Sequence, residues 1–201
     1  MTPVASLFTW ENWPILVVCA GMIAAAIIDW WKFKVPNKLT FPLILSGWLL
    51  GLLNMFQLVP CGGQGWIGDA LGGTGLACAL LLPMYAIGGM GAGDVKMTMG
   101  FGSWIGAFYG LAVGWWIIVV AFCVGSIVGG FIAMIMIMLR GNYRGNVEHV
   151  REIIRDTFTS SSVADMHDKA NKRRSRWHRL PYGVPLCIGF VGYLIYYYST
   201  L

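Results

Sequence analysis

Uninterrupted apolar runs, each close to the length of a bilayer crossing, restrict the folds open to this chain more than any other feature. A helix rises 1.5 Å per residue, so about 20 apolar residues match a hydrocarbon layer of roughly 30 Å. The first run extends from Trp13 to Ile28, with Trp10 and Trp13 at one end and Trp30 and Trp31 at the other, as interfacial aromatic belts require. Others cover Leu39–Phe56, Trp66–Gly88 and Tyr182–Tyr198. Met97–Leu139 adds 43 residues without a charge, about twice one crossing, which predicts two helices turning near Gly106, Gly110 and Gly114. The expected spans are therefore six, near 13–28, 39–56, 66–88, 95–112, 114–139 and 182–198.

Composition agrees. The 201 residues are 57% hydrophobic and 11% charged, more apolar than the core of one soluble domain requires. The expected fold class is all-α, a polytopic membrane protein forming a single domain over 1–201. Arg140–Leu180, the only sizeable polar stretch, is too short to bury a core of its own. The amino end carries no basic leader and more apolar runs follow it, so the first helix is expected to be retained. No internal repeat is evident.

Charge sets the expected orientation. The fourteen Lys and Arg fall in three places: Lys32, Lys34 and Lys38; Lys96; and ten between Arg140 and Arg179. With the amino end outside and six crossings, all three places lie on the cytoplasmic side, as the positive-inside rule demands. Lys96 and Arg140 can share a side only if the chain crosses an even number of times between them, which supports dividing the long apolar block. The net charge of +5 is confined to such loops and shows no interleaving of basic and aromatic residues, so no nucleic-acid partner is expected. Within 140–180, Val147, Val150, Ile154 and Phe158 recur at helical spacing, with Glu148/Arg151 and Glu152/Arg155 pairs on the polar side. This predicts a cytoplasmic loop with a surface helix, held by anionic lipids of the bilayer.

Among nine acids, Glu148, Glu152, Asp156, Asp165 and Asp168 belong to that loop, and Glu11 to the outer amino end. Asp29, Asp69 and Asp94 lie at or in spans, where an ionisable group is costly and points to function unless it is solvated at the headgroups. Asp29 ends the first span and Asp94 begins the fourth, on the same side. Asp69 begins the third span on the opposite side, roughly 20 to 30 Å away, where an acid near a helix amino end complements the dipole. Two carboxylates held together share one proton, which makes the pair a general base and a general acid. The ionised member can take a proton from water attacking a peptide carbonyl, while the protonated member polarises that carbonyl. No metal or other cofactor is required. A proton relay between the two acids remains open on spacing alone.

The flanks add detail. Gly88-Gly89-Met90-Gly91-Ala92-Gly93 precedes Asp94, and backbone so bare of side chains lets an extended peptide approach, or forms a plain turn. Val35-Pro36-Asn37 follows Asp29; Pro36 keeps Val35 extended, and Asn37 is expected to cap the second span. Gly91, Gly93, Lys96, Pro36 and Asn37 are thus candidate substrate-binding or architectural residues. Cys19, Cys61, Cys78, Cys123 and Cys187 form no CxxC, zinc or disulfide pattern and read as packing residues. His149, His167 and His178 lack ligand spacing, and Ser160–Ser162 have no visible base, which leaves serine and metallopeptidase chemistry unsupported.

Asp29 with Val35-Pro36-Asn37, together with Gly88 to Met97 around Gly91-Ala92-Gly93-Asp94 and Lys96, resembles the two signature regions of the prepilin peptidases, the bacterial GxGD aspartic peptidases. Leu180-Pro181-Tyr182-Gly183-Val184-Pro185 looks like that family's last-helix motif. The resemblance implies cleavage of the short basic leader of a pilin-like precursor at the cytoplasmic face of the bacterial inner membrane, with Asp29 and Asp94 in the catalytic roles. Larger members carry an amino-terminal region with paired CxxC motifs and methylate the new amino end; that region is missing here, so methylation is not expected. The compact form is similar to the peptidases of tight-adherence (Flp) pilus systems, although the loop over 140–180 is longer than the resemblance leads one to expect. Presenilin-like proteases also carry GxGD, but place Tyr before the first Asp, where Ile28 stands, and a Pro-Ala-Leu motif late in the chain. A cation or proton transporter using Asp29 and Asp94 would place its acids deep in the bilayer rather than at one edge.

Overall fold

A computed structural model of the chain describes residues 8–32, 35–86, 90–140 and 182–200. The surface helix expected over 140–180, the three histidines, Ser160–Ser162 and the residues at 33–34, 87–89 and 180–181 lie outside these. The described residues form a short 3-10 turn, Trp10–Asn12, and the helices α1 (Trp13–Lys32), α2 (Asn37–Met55), α3 (Ile67–Ala86), α4 (Ala92–Tyr109), α5 (Leu111–Arg140) and α6 (Gly183–Thr200). The chain is an all-helical polytopic membrane protein, and α1, α2, α3 and α5 are each long and apolar enough to cross a bilayer.

Helices α4 and α6 fall short in apolar content, α4 for a physical reason. Thirteen of the eighteen residues of α4 are buried, and α1, α2, α3, α5 and α6 all pack against it. A helix sheathed by other helices meets little lipid, so glycine, serine and threonine can replace leucine along it. Those small residues set how closely its neighbours approach. A side chain at Gly73 of α3 would strike the Gly102 carbonyl of α4, one at Gly102 would strike the Gly73 carbonyl, and one at Gly106 would strike the Asp69 carbonyl. The backbones of α3 and α4 therefore touch over more than one turn, the closest approach small residues permit between membrane helices.

On the other flank, Gly47 of α2 lies against Ser103, and the Trp104 indole donates to the Leu43 carbonyl at 2.9 Å. Trp48 donates to the Thr74 hydroxyl at 2.9 Å, and that hydroxyl donates on to the Ala70 carbonyl at 2.7 Å, so the indole and the hydroxyl between α2 and α3 both have partners. Phe101 of α4 stacks on Phe190 of α6 with centroids 4.3 Å apart.

The long apolar block breaks at Gly110, one of the three glycines marked by the sequence. Its φ of 72° and ψ of 161° belong to a region open essentially to glycine alone. At this end of the bundle the segment between α2 and α3 closes over α4. Gln64 donates its N–H to the Phe108 carbonyl at 2.8 Å, Asn54 its amide to the Ala107 carbonyl at 3.0 Å, and Gly62 its N–H to the Glu11 carbonyl at 3.0 Å. The first two bonds satisfy carbonyls that the end of α4 would otherwise leave without a helical donor.

Candidate active site

The buried face of α1 carries Ile15, Val18, Met22, Ala25, Ala26 and Asp29. The spacing of three and four residues is that of one helical face, and Asp29 continues it one turn past the alanines. Periodicity therefore turns Asp29 inward, where only 4% of it is exposed. Trp30 and Trp31, off that stripe, point outward at 62% and 79%.

Asp94 is the third residue of α4 and is equally buried, at 6%. Its Oδ2 accepts the Gly91 N–H at 3.1 Å, so it satisfies an amide that the first turn of a helix leaves without a carbonyl. The Gly91 carbonyl in turn accepts the Asp94 N–H at 3.2 Å, and the Thr98 hydroxyl donates to the Asp94 carbonyl at 2.9 Å. Gly93 sits on the buried Val35, whose Cβ would lie 3.2 Å from a Cβ added there. Pro36, extended at φ −72° and ψ 140°, is the residue at which α2 begins. The start of α4 thus rests on the chain between α1 and α2.

The last turn of α1 and the first turn of α4 lie in helices that pack directly together, and α6 touches both helices. The Gly183 N–H donates to Asp29 Oδ2 at 2.9 Å. The adjacent Tyr182 is half-buried at the same end of α6. The amino end of α6 thus holds the first acid directly, while α1 and α6 both pack on the helix that carries the second. Sequence reasoning misses this contact, although the Tyr182-Gly183-Val184-Pro185 motif marks the place.

Gly91 and Gly93 flank Asp94 on the approach to α4. Lys96 leaves α4 on another face, about 200° around the helix from Asp94. Its Nζ donates to the Asn37 Oδ1 at 3.0 Å and stands 4.8 Å from the Phe41 ring centroid. The expectation that Asn37 caps α2 is corrected: Pro36 holds the cap position, no side chain bonds there, and the Asn37 amide faces Lys96 instead. A cation two residues beyond the acid outcompetes the helix end for that oxygen. The pair ties α2 to α4, and its exposure limits its worth to about 1 kcal/mol or less.

Asp69 lies elsewhere. It stands in the first turn of α3, its Oδ2 accepts the Trp66 N–H at 3.0 Å, and it faces Gly110 at the far end of α4. About 24 Å of helix separates Gly110 from Asp94 at 1.5 Å per residue. Asp69→Asn should leave turnover within about twofold of the unaltered chain and cost roughly 0.5–1 kcal/mol of stability, read from initial cleavage rates and the thermal midpoint; a large loss of turnover would place Asp69 in the site after all. Among the described residues no three His, Cys, Asp or Glu side chains gather where one metal ion could be held.

Two buried carboxylates, on helices that pack together, are groups able to exchange protons with a water or substrate. Comparison with known proteins bears on which chemistry that is. Residues 16–134, which contain both acids, match the model of the type IV leader peptidase family. Over 142 residues the chain is 28% identical to the prepilin leader peptidase/N-methyltransferase of Aeromonas hydrophila, covering 67% of this chain and 43% of that one. Over 140 residues it is 29% identical to the prepilin leader peptidase/N-methyltransferase of Pseudomonas aeruginosa, covering 69% and 44%. The chain thus spans less than half the length of these curated relatives. No solved structure matches it.

Proposed function

The chain belongs to the type IV leader peptidase family, and from that premise we propose that it is an aspartic endopeptidase that removes the basic leader of a type IV pilin-like precursor, with Asp29 and Asp94 as its reacting pair. The observation that carries the reading is the burial of two acids, at the end of α1 and the start of α4, in helices that pack together, with Asp29 held by the first amide of α6. Two carboxylates so placed hold one proton between them. The ionised carboxylate takes a proton from water as the water oxygen bonds to the scissile carbonyl carbon. The protonated carboxyl gives its proton to the carbonyl oxygen, and a tetrahedral diol results. Collapse of the diol breaks the C–N bond, the leaving nitrogen takes up a proton, and the pair returns to its starting state. Asp29 and Asp94 need no covalent intermediate for this.

The site faces the cytoplasm of the inner membrane in this proposal, because Lys32, Lys38 and Lys96 stand at its end of the bundle. The precursor belongs to the Flp class, and anionic lipids hold the basic segment over 140–180. Gly91, Gly93, Pro36, Asn37 and Lys96 shape the approach to Asp94 rather than react. The relatives' names couple leader peptidase with N-methyltransferase; only the peptidase half is assigned to this chain, because proton transfer between two carboxylates is hydrolytic chemistry.

The test is to reconstitute the chain in vesicles with a Flp-type prepilin and read the product by mass spectrometry. Release of the leader supports the proposal, and the same spectrum shows whether the new amino end is methylated. An intact precursor accompanied by proton or cation flux through the vesicles would replace it with transport.

A further inference from the structure

We propose that Gly183 is the positioning residue for the Asp29 carboxylate, through its main-chain N–H and through the absence of a side chain; the proposal rests on the peptidase reading above and deepens it. The donor and acceptor are 154 residues apart in sequence and 2.9 Å apart in space, and both residues are buried. Gly183 opens α6, so its N–H has no carbonyl to meet inside the helix and is available to another acceptor. One turn later the same amide would be committed to the helix. A Cβ at this position would lie 2.8 Å from Asp29 Oδ2 and 3.0 Å from Asp29 Cβ, closer than a carbon can stand without displacing the carboxylate.

The placement of that amide is itself fixed from two sides. On one side, Gly189 of α6 has no side chain to hold it off Gly125 and the Ala121 carbonyl of α5, and Gly125 lies 3.3 Å from both the Leu186 Cα and the Pro185 carbonyl as gauged from an added Cβ. On the other, Phe190 stacks on Phe101 of α4, the helix that carries Asp94. Gly189 and Phe190 lie about two turns from Gly183, or roughly 9–11 Å along the axis. Helix α6 therefore sets Asp29 in register with Asp94 although it contributes no acid. The bond commits Oδ2 and fixes the plane of the carboxyl, which assigns Oδ1 to the water and the scissile carbonyl.

Two variants of the full chain, purified and reconstituted with a Flp-type prepilin, test this. In the first, glycolic acid replaces Gly183 by cell-free translation, so an ester oxygen takes the place of the N–H and no atom is added that could crowd the fold. The second is Gly183→Ala. Each is expected to lower kcat by about 30- to 100-fold, the scale on which a misplaced reacting group slows a reaction, with KM within about twofold. Gly192→Ala, on the same helix with nothing within 4 Å, should match the unaltered chain. An ester variant with undiminished kcat overturns the positioning role whatever Gly183→Ala does, as does a loss confined to KM. An unaltered chain that leaves prepilin intact overturns the peptidase reading itself, and this proposal with it.

Discussion

Cleavage of prepilin should fall by roughly 10³- to 10⁴-fold in Asp29→Asn, and by as much in Asp94→Asn, because in the proposed mechanism each change removes one of the two proton-transfer partners. The amides keep size and polarity, so the helices have no reason to move. An amide carbonyl oxygen at position 29 can still accept the Gly183 N–H, and one at position 94 the Gly91 N–H, so the bonds that orient both side chains survive. What is lost is the ability to hold and release a proton. Groups that act as a unit lose their function together, so the double variant should be no slower than either single one. Initial rates in vesicles, alongside circular dichroism to confirm retained helix, measure this. Full activity in either single variant would remove the two acids from the mechanism.

A second large effect concerns the scaffold. Gly102→Leu should unfold much of the protein, because the first carbon of any side chain there would already strike the Gly73 carbonyl and come within 2.9 Å of the Ala77 Cβ. Overpacking a core commonly costs about 1–3 kcal/mol through shifted side chains. Here the obstacle includes backbone, which cannot rotate away, so a cost of about 3 kcal/mol or more is expected, a drop of over ~100-fold in the folding equilibrium. Gly75→Leu, on α3 but with nothing within 4 Å, should be tolerated. Thermal unfolding in detergent and the yield of monodisperse protein would read both. A stable Gly102→Leu chain would mean that α3 and α4 do not make the contact described.

How much of this is legible in the sequence depends on the kind of signal involved. The burial of Asp29 follows from its place on the apolar face that begins at Ile15, and the role of Asp69 as a helix-end acid from its position alone. Both are local properties of residue type and spacing. The sequence narrows the division of the long apolar block to three glycines, since only a backbone angle distinguishes Gly110 from Gly106 and Gly114. The central position of α4 cannot be read in the same way. Its glycines, serine and threonine suggest a weaker membrane helix until the five surrounding helices explain them.

Two misreadings have specific causes. Asn37 looks like a cap because asparagine favours that position, but the partner that claims its side chain, Lys96, lies 59 residues away. Gly183 does not stand out because every non-proline residue carries the same N–H, so no residue type announces which amide will meet a carboxylate. Only the absence of a side chain leaves a trace, and glycine is too frequent in this chain, at 27 residues, for that trace to be specific.

The central claim is that Asp29 and Asp94 form one site. The most direct measurement places cysteines at both positions in a chain whose five native cysteines are replaced, and asks whether a short bifunctional thiol reagent joins them. Efficient cross-linking of Asp29→Cys with Asp94→Cys is expected, read as a peptide linking α1 to α4 by mass spectrometry, and none between Asp69→Cys and Asp94→Cys. Cross-linking of the second pair but not the first would contradict the claim.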